Sequence, residues 1–210
     1  MADVENTVIV LDFETTGLSP DWGDRVTEVA AVVIEDRSVV RQYQSLMNAG
    51  VPIPAFVQEL TGITNAMIRN APPASVVIRE LARFIGSAPL VAHNASFDRR
   101  FLDAELARVR LRRVQEVVCS MRVARRVYPD APNHRLGTVA RYADVPASGR
   151  QHRALADAMV TANLWLKMQT ALSTGYRLRH VPLDLMQRLQ AIPCRSLDSF
   201  VSRYRKQHDI

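Results

Sequence analysis

Short apolar runs separated by turn residues fill the first 47 positions of the chain. Residues 7–11 are β-branched or aliphatic without interruption, which predicts a strand over residues 6–14 that is covered on both faces. Two further runs predict strands over residues 26–35 and 39–47, and the polar residues 35–38 predict the turn between them. The start of the chain therefore predicts an antiparallel meander of three strands.

Apolar positions at helical spacing dominate after residue 50, and Pro and Gly residues break them into segments. Pro54, Thr64 and Ser75 are the predicted starts of the first three helices. Two short strands are predicted over residues 89–92 and 114–118. The remaining predicted helices span residues 96–109, 120–127, 135–142, 154–172, 182–191 and 196–206. A meander followed by alternating helices and strands predicts an α/β fold with one mixed sheet flanked by helices.

The composition excludes several classes of protein. Hydrophobic residues make up 48% and charged residues 23% of the chain, as in globular proteins rather than disordered ones. The longest apolar stretches, such as residues 29–34, are too short to cross a bilayer. Asp3 and Glu5 lie where an export signal would carry positive charge, and Cys119 and Cys194 lack the spacing of a zinc site. We therefore predict a cytoplasmic protein with reduced thiols and no membrane partner.

The net charge of +6 is concentrated towards one end of the chain. Residues 1–149 carry 17 basic and 17 acidic side chains, whereas residues 150–210 carry 10 and 4. A basic segment beside a neutral body suggests a polyanionic partner. Because the helical register changes after residues 173–175, we predict a main domain over residues 1–175 and a basic helical extension over residues 176–210. That extension would either pack on the domain or dock a partner.

Two carboxylates end the first predicted strand. Asp12 and Glu14 alternate with Phe13, so they point to one face of the strand, about 6–7 Å apart. Like charges at that distance repel unless a cation lies between them, and a hard divalent cation with oxygen ligands suits the arrangement. A solvated pair at a strand end is the alternative interpretation.

Two further segments carry candidate groups. His93 and Asp98 follow the short strand over residues 89–92, where α/β sheets place ligands, although Asp98 would also stabilise a helix N-terminus. His152 and Asp157 differ by about 140° in azimuth if both lie on one helix, which is a poor spacing for shared ligation. If His152 instead precedes the helix, it can lean over Asp157 and act as a general base.

Together, these segments resemble the DEDDh-type 3′→5′ exonucleases, the DnaQ-like family of the ribonuclease H-like superfamily. The resemblance is carried by VLDFETTGL at residues 10–18, VAHNASFD at residues 91–98 and HRALADA at residues 152–158, with a further match in LTGIT at residues 60–64. It covers residues 6–170 and fills all the acidic and histidine positions of the family pattern. The implied fold is ribonuclease H-like, with a mixed sheet flanked by helices.

The resemblance implies two bound Mg²⁺ or Mn²⁺ ions. Asp12, Glu14 and Asp157 would bind one of them, Asp12 would bridge to the second, and Asp98 would support that second site. His152 would accept the proton of the attacking water. The four carboxylates balance the charge of two divalent cations, and such a site matches the chemistry of phosphodiester hydrolysis.

The same resemblance implies substrate contacts around these ligands. The residues that follow Glu14 would face the terminal nucleotide, Leu18 would act as a wedge against the last base, and Phe97 would stack on a base or sugar. Thr61 and Ile63 would form part of the wall of the nucleotide pocket, where many polymerase-proofreading relatives have His-Gly-Ile. The full set of implied substrate-binding residues is Thr15, Thr16, Gly17, Leu18, Thr61, Ile63, Asn94 and Phe97.

The implied activity is 3′→5′ exonucleolytic hydrolysis of terminal phosphodiesters in single-stranded DNA or 3′ ends, with release of nucleoside monophosphates. Two alternatives lie within the family: a proofreading subunit bound to a DNA polymerase or other replication or repair protein, and an exonuclease that trims RNA 3′ ends. A non-catalytic nucleic-acid-binding adaptor is a third alternative, but such a protein could lose ligands and none is missing here. The sequence leaves the oligomeric state open.

Overall fold

Five strands in the described part of the chain form one sheet. The computed structural model describes residues 7–147, 149 and 152–210. Its strands are β1 (Val8–Thr15), β2 (Val26–Glu35), β3 (Ser38–Leu46), β4 (Leu90–Ala92) and β5 (Val117–Cys119). The sheet order is β3-β2-β1-β4-β5, which puts β1 at the centre.

The sheet is mixed, as the sequence predicts. β1 pairs antiparallel with β2 and β2 with β3, which confirms the meander, whereas β4 and β5 run parallel to β1. β5 begins at Val117 rather than at Val114, because Val114 is exposed and the neighbouring Gln115 side chain donates a hydrogen bond to the Gly86 carbonyl. The parallel pairing brings the C-terminal ends of β1 and β4 to the same edge of the sheet.

Nine α-helices in the described residues cover this sheet. They are α1 (Ala55–Thr61), α2 (Asn65–Arg69), α3 (Ala74–Ile85), α4 (Ser96–Arg108), α5 (Ser120–Val127), α6 (Leu136–Tyr142), α7 (Ala154–Tyr176), α8 (Leu183–Leu189) and α9 (Leu197–His208). Thr64 caps α2 as predicted, since its Oγ1 accepts the Met67 amide at 3.2 Å. The prediction that Ser75 caps α3 is wrong, because Pro73 occupies the capping position and its fixed φ directs the chain into the helix.

Alternation along β1 separates two apolar clusters. Val8 and Val10 belong to the cluster completed by α5, α6 and α7, whereas Ile9 and Leu11 belong to the cluster completed by α3 and α4. Both faces of the central strand are therefore covered, as its continuous apolar run predicts. The same alternation directs Asp12 towards the face that α7 covers.

The C-terminal helices share the core of the rest of the molecule. α7 continues to Tyr176, four residues beyond its predicted end at residue 172, so the break predicted after residues 173–175 lies one residue later. Arg177, which follows directly, has a left-handed backbone that ends the helix. Leu185 from α8 and Val201 from α9 are fully buried in the cluster that lies between α7 and the sheet. This burial agrees with packing on the main domain, which is one of the two roles predicted for residues 176–210.

Membrane and thiol features were also predicted from the sequence. Within the described residues, every helix is too short or too polar to span a membrane. Cys119 at the end of β5 is buried, Cys194 near the start of α9 is exposed, and both are free thiols.

Candidate active site

The end of β1 presents two carboxylates on one face. Asp12 and Glu14 project towards α7, while Phe13 between them packs into the cluster on the opposite face. The register of β1 with β2 shifts between Glu14 and Thr15, so the regular ladder ends directly after the second carboxylate. Irregularities of this kind often lie beside active sites, where they end the pairing and redirect the chain.

Asp157 reaches the same place from the first turn of α7. One carboxylate oxygen each from Asp12, Glu14 and Asp157 lie within 4.8 Å of one another. α7 packs directly on β1 and β2, which fixes the distance between the helix and the strand end. Residues that are 143 to 145 positions apart in the sequence are thereby brought to one point, as the family resemblance implies.

Asp98 approaches from the other side of β1. It lies in the first turn of α4, is 3% exposed and lines the same cleft as Asp12. Burial raises the pKa of Asp98 to about 7, against an opposing effect of backbone hydrogen bonds at Asp98 itself and at Phe13. Asp98 is outside the group of three oxygens formed by the other carboxylates, but its charge acts on Asp12.

The carboxylates of this cluster repel one another, so the cluster favours the binding of cations or protons. Burial, followed by the charges of Asp98, Glu14, Asp157 and Glu28, raises the pKa of Asp12 well above its ordinary value. Burial and the charge of Asp157 are the main causes that raise the pKa of Glu14 to about 8. Burial also raises the pKa of Asp157. Carboxylates held this close ionise together only if positive charge is supplied, and a divalent cation with oxygen ligands fits that donor set.

His152 precedes α7 rather than lying on it. Its backbone has φ 59°, in the left-handed region, and its side chain is exposed at the edge of the cleft. The His152 amide donates a hydrogen bond to Asp157 Oδ2 at 3.0 Å. The predicted alternative in which His152 lies before the helix and near Asp157 is therefore confirmed, and the unfavourable spacing of the two residues on one helix does not arise.

A buried ion pair, which the sequence analysis did not identify, holds this segment in place. Glu28 on β2 is fully buried and accepts hydrogen bonds from Arg153 Nη2 at 2.7 Å and Arg153 Nε at 3.0 Å. The Ala154 amide also donates to Glu28 at 3.0 Å, so one carboxylate fixes the first residue of α7. The available signal was a single acidic residue inside the apolar run of β2, since a charge is rarely buried without a partner.

Replacement of Glu28 by Gln is expected to destabilise the protein and slow the reaction together. A broken buried pair costs about 3–5 kcal/mol, and we expect about 2–3 kcal/mol here. The lower figure reflects the 31% exposure of the Arg153 side chain. Because Arg153 and Ala154 lie between His152 and Asp157, kcat should fall more than KM rises. Thermal melting and steady-state kinetics measure both effects.

The matched control for Glu28→Gln is Asp103→Asn, which removes one partner of the surface pair between Asp103 and Arg113. That change should cost no more than about 1 kcal/mol. Burial alone would raise the pKa of Glu28, but hydrogen bonds from Arg153, Ala154 and Gln44 lower it overall. The stability lost in Glu28→Gln should therefore be largest near neutral pH and shrink as the pH falls below the ordinary carboxyl pKa. Equal losses at both positions would contradict this assignment.

The cleft around the carboxylates has a volume of about 900 Å³. One wall comes from α6 and the residue before it, and includes Arg135 and Arg141, which the sequence analysis did not select. His93 holds this wall in place, because its Nε2 bonds to the His134 carbonyl and its Nδ1 to Ser120 Oγ, each at 2.9 Å. Burial lowers the pKa of His93 to about 4, so the ring is neutral and its Nε2–H donates to the carbonyl. His93 is thus a hydrogen-bonded structural histidine.

Three of the implied substrate-binding residues line the cleft. They are Leu18, Asn94 and Phe97. Asn94 has φ 69°, a left-handed conformation that Asn tolerates better than most residues, and it lies in the middle of the turn between β4 and α4. Phe97 is half-buried and packs against Phe101 with ring centroids 4.9 Å apart, so it serves the core and the cleft together.

The other implied substrate contacts have internal partners. Thr15 Oγ1 donates to the Gly17 carbonyl at 2.6 Å, and Thr16 Oγ1 donates to Asp24 Oδ1 at 3.3 Å. Thr61 and Ile63 are buried under α1, where Thr61 Oγ1 donates to Val57 and accepts the Ile63 amide. The structure does not bring Thr61 and Ile63 into the described lining of the cleft, because Ile63 completes a small apolar cluster of its own.

The fold and the site together define a ribonuclease H-like α/β protein with a carboxylate cluster at the end of its first strand. Comparison with known families identifies the group within that class. The chain belongs to the family described as Exonuclease (RNase_T), whose sequence profile matches residues 9–165.

Among known proteins, the chain is similar to segments of larger proteins. It is 39% identical over 168 residues to the PolC-type DNA polymerase III of Bacillus subtilis, a match that covers 78% of this chain and 11% of the polymerase. It is 32% identical over 185 residues to the 3′-5′ exonuclease DinG of the same organism, covering 88% of this chain and 19% of DinG. The chain therefore spans only a small part of these relatives.

Solved structures extend the comparison to smaller enzymes. Exonuclease X in complex with 5′ overhanging duplex DNA has a TM-score of 0.68 and 26% identity, and the match covers 87% of this chain and 99% of that one. Escherichia coli Exonuclease I in complex with a dT13 oligonucleotide has a TM-score of 0.71. Its identity is 16%, covering 82% of this chain and 43% of Exonuclease I, so this likeness concerns the fold.

Proposed function

We propose that this protein is a 3′→5′ exonuclease that removes nucleoside monophosphates from single-stranded DNA or from 3′ ends, and that it requires two Mg²⁺ or Mn²⁺ ions. The observation that carries the proposal is the meeting of Asp12, Glu14, Asp98 and Asp157 in one cleft that His152 borders. Membership of the exonuclease family supports it. The cysteines are free and no described helix can span a membrane, which is consistent with the proposed cytoplasmic location.

The residues present fit two divalent cations. Asp12, Glu14 and Asp157 would hold one cation, and Asp12 with Asp98 would hold the other. When bound, such cations supply the charge that activates water and stabilises the attacking and leaving oxygens of a phosphodiester. Glu14 and Asp98 are both buried, and the low dielectric around buried groups strengthens their electrostatic interactions.

His152 is the proposed general base. It is exposed at the edge of the cleft, and its own amide bonds to Asp157, so its position is tied to that of a carboxylate ligand. A histidine near a phosphodiester can accept the proton of the attacking water at neutral pH. Arg135 and Arg141 also line the cleft and would attract the phosphate backbone of the strand that enters it.

The test is a digest with the purified protein. DNA and RNA oligonucleotides of one sequence, labelled at the 5′ end, are incubated with Mg²⁺, Mn²⁺ or EDTA, and the products are separated by length. The proposal expects a ladder that shortens from the 3′ end, only when a divalent cation is present. Cleavage of RNA much faster than DNA would instead favour the RNA-trimming alternative, and the absence of any cleavage would leave the adaptor alternative.

The PolC relatives favour a second candidate, a proofreading role beside a DNA polymerase. In that case a replicative polymerase mixed with the full chain should elute earlier from a size-exclusion column than the polymerase alone. Truncation at Gly175 is an unsuitable test, because it would cut inside α7 and remove Leu185 and Val201 from the core. Charge reversal of the exposed Arg195 and Arg203 probes the basic surface without that damage.

Stability of the metal-free protein should fall as the pH rises from about 5 to about 8. Burial raises the pKa of Glu14 to about 8 and that of Asp98 to about 7. A carboxyl group with a raised folded-state pKa stabilises the fold below its unfolded pKa, and that contribution is lost as the pH rises towards the folded value. Mg²⁺ at 100 times its Kd should increase the free energy of unfolding by about 2–3 kcal/mol. This increase should be larger at higher pH, where the carboxylates are ionised. Thermal melts in EDTA and in Mg²⁺ across this range measure both effects.

A melting temperature in EDTA that is flat or rises between pH 5 and pH 8 would contradict this prediction. The control is the effect of Mg²⁺ on Asp12→Asn, in which one carboxylate is replaced by a neutral amide. The gain from the cation should be smaller in that variant, because the remaining ligands bind it less tightly.

A further inference from the structure

The loop that follows β1 is closed by its own hydrogen bonds. This segment, residues 16–25, is called the rim loop here. Its ends pair because the Thr16 amide donates to the Arg25 carbonyl at 2.8 Å and the Arg25 amide donates to Thr16 Oγ1 at 3.0 Å. Asp24 Oδ2 accepts the Ser19 amide at 3.0 Å across the middle of the loop. A Cβ at Gly17 would lie 2.3 Å from Asp24 Oδ1, so a larger residue there would displace the Asp24 side chain that bonds to Ser19.

The rim loop is also anchored to α4. Arg25 makes a two-point ion pair with Glu105, with Nε–Oε1 at 2.6 Å and Nη2–Oε2 at 2.9 Å. Glu105 is buried, with only 2% of its surface exposed. The turn Pro20–Trp22 inside the loop packs against the same helix. The loop is therefore a fixed platform rather than a free connection.

This fixed platform presents two large apolar side chains to solvent. Leu18 is 71% exposed and Trp22 is 80% exposed. An exposed tryptophan adds little to the stability of the fold. The same indole buried in a core would stabilise the fold by several kcal/mol, on the order of 3. Fixed, exposed aromatic side chains are typical of surfaces that bind ligands.

The surroundings of Trp22 identify the ligand. Leu18 on the same loop lines the carboxylate cleft, so the loop forms part of its rim. Arg99 and Arg100 are exposed on the neighbouring α4, and Arg100 Nη2 reaches the Leu18 carbonyl at 3.5 Å. An aromatic face beside arginines, at the mouth of a phosphodiesterase cleft, suits a nucleobase joined to its phosphate.

We propose that Trp22 stacks on a base of the single-stranded substrate, outside the cleft and upstream of the nucleotide that is removed. This inference rests on the proposed exonuclease function. It assigns the rim loop a second role beyond the wedge implied for Leu18: Trp22 holds the strand that remains bound between successive cleavages. Stacking does not read sequence, because every base has an aromatic face.

The first test compares a long and a minimal substrate. The long substrate is a single-stranded DNA oligonucleotide, and the minimal one is the p-nitrophenyl ester of thymidine 5′-monophosphate, which has no upstream base. In Trp22→Ala, the ratio of kcat/KM for the oligonucleotide to kcat/KM for the ester should fall about 5- to 150-fold. In Trp22→Phe, which keeps an aromatic ring, most of the ratio should be retained.

The matched control is Phe56→Ala, which removes a ring of 67% exposure from α1, outside the rim loop. That variant should keep the wild-type ratio. An unchanged ratio in Trp22→Ala would overturn the proposal. If both kcat/KM values stay at the wild-type level, Trp22 makes no contact with the substrate, and if both fall equally, the loop acts through the active site alone.

A binding measurement keeps the inference separate from catalysis. The two tryptophans differ in environment, since Trp22 is exposed and Trp165 is fully buried. An oligonucleotide with a hydrolysis-resistant phosphorothioate 3′ end should quench the fluorescence of the wild-type protein, and Trp22→Phe should abolish most of that quenching. Quenching that persists in Trp22→Phe would overturn the proposal. If neither substrate is hydrolysed but the quenching follows Trp22, the exonuclease function fails while the stacking site stands.

Discussion

Replacement of Asp12 by Asn is expected to reduce exonuclease activity by at least about 10³-fold, because Asn removes a charge that both cations would share. Asp12 lies at the centre of the cluster, where the charges of Asp98, Glu14 and Asp157 all act on it. An amide of nearly the same shape keeps the packing of β1 but cannot balance a divalent cation. The kcat with saturating Mg²⁺ measures the loss.

The fold of Asp12→Asn should not suffer, and its metal-free form should gain stability. Burial and neighbouring carboxylates raise the pKa of Asp12, so ionising it at neutral pH opposes folding. Removing the charge relieves that repulsion, which is the usual opposition between activity and stability at a functional site. The expected result is a melting temperature in EDTA at pH 8 that equals or exceeds that of the wild type.

Asp130→Asn is the matched control, because it removes a carboxylate from an exposed turn outside the cleft. It should leave both kcat and the melting temperature close to wild type. Retention of activity by Asp12→Asn, or undiminished wild-type activity in excess EDTA, would exclude the two-metal mechanism.

The sequence was sufficient to predict the placement of residues that depends on the local periodicity of a strand or helix. The alternation of Asp12 and Glu14 with Phe13 was sufficient to place both carboxylates on one face, because a strand has a period of two residues. The start of α2 was also predictable, because the Thr64 side chain can cap the helix. The long-range meeting of Asp12 with Asp157 came from the family resemblance, since no local pattern joins segments so far apart.

Features that depend on tertiary pairing were not predictable. Glu28 and Glu105 are both buried, and each is paired with an arginine from a distant segment of the chain, Arg153 and Arg25 respectively. The helix end predicted at residue 172 was four residues too early for a similar reason. A glycine costs only about 1 kcal/mol inside a helix, and the packing of Leu172 and Tyr176 outweighs that cost.

These buried pairs explain why the active site can be built from loops and strand ends. Each pair lies directly behind a functional segment: Glu28–Arg153 behind His152, and Arg25–Glu105 behind the rim loop. Separation of either pair would leave an uncompensated buried charge. This cost holds the segment in the one position in which the pair is formed. The precision of the cleft therefore depends on residues that do not line it.

Replacement of His152 by Ala is expected to lower kcat about 10²- to 10⁴-fold while KM and cation binding change little. The side chain is exposed at the edge of the cleft and takes no part in the apolar core, so its loss leaves no cavity. Only the backbone amide of His152 bonds to Asp157, and Ala retains that amide. Ala also carries the same Cβ as His, so the left-handed backbone at φ 59° costs about as much in the variant as in the wild type.

Three measurements separate loss of the base from disturbance of the site. The increase in melting temperature on adding Mg²⁺ should be the same in His152→Ala and the wild type, because the carboxylate ligands are intact. Added imidazole should restore part of the lost rate in the variant, since the vacated position is open to solvent. His180→Ala, which removes an exposed histidine outside the described lining of the cleft, should keep wild-type kinetics. An unchanged kcat in His152→Ala would show that another group accepts the proton, and a lost response to Mg²⁺ would show that His152 acts by holding Asp157 in place.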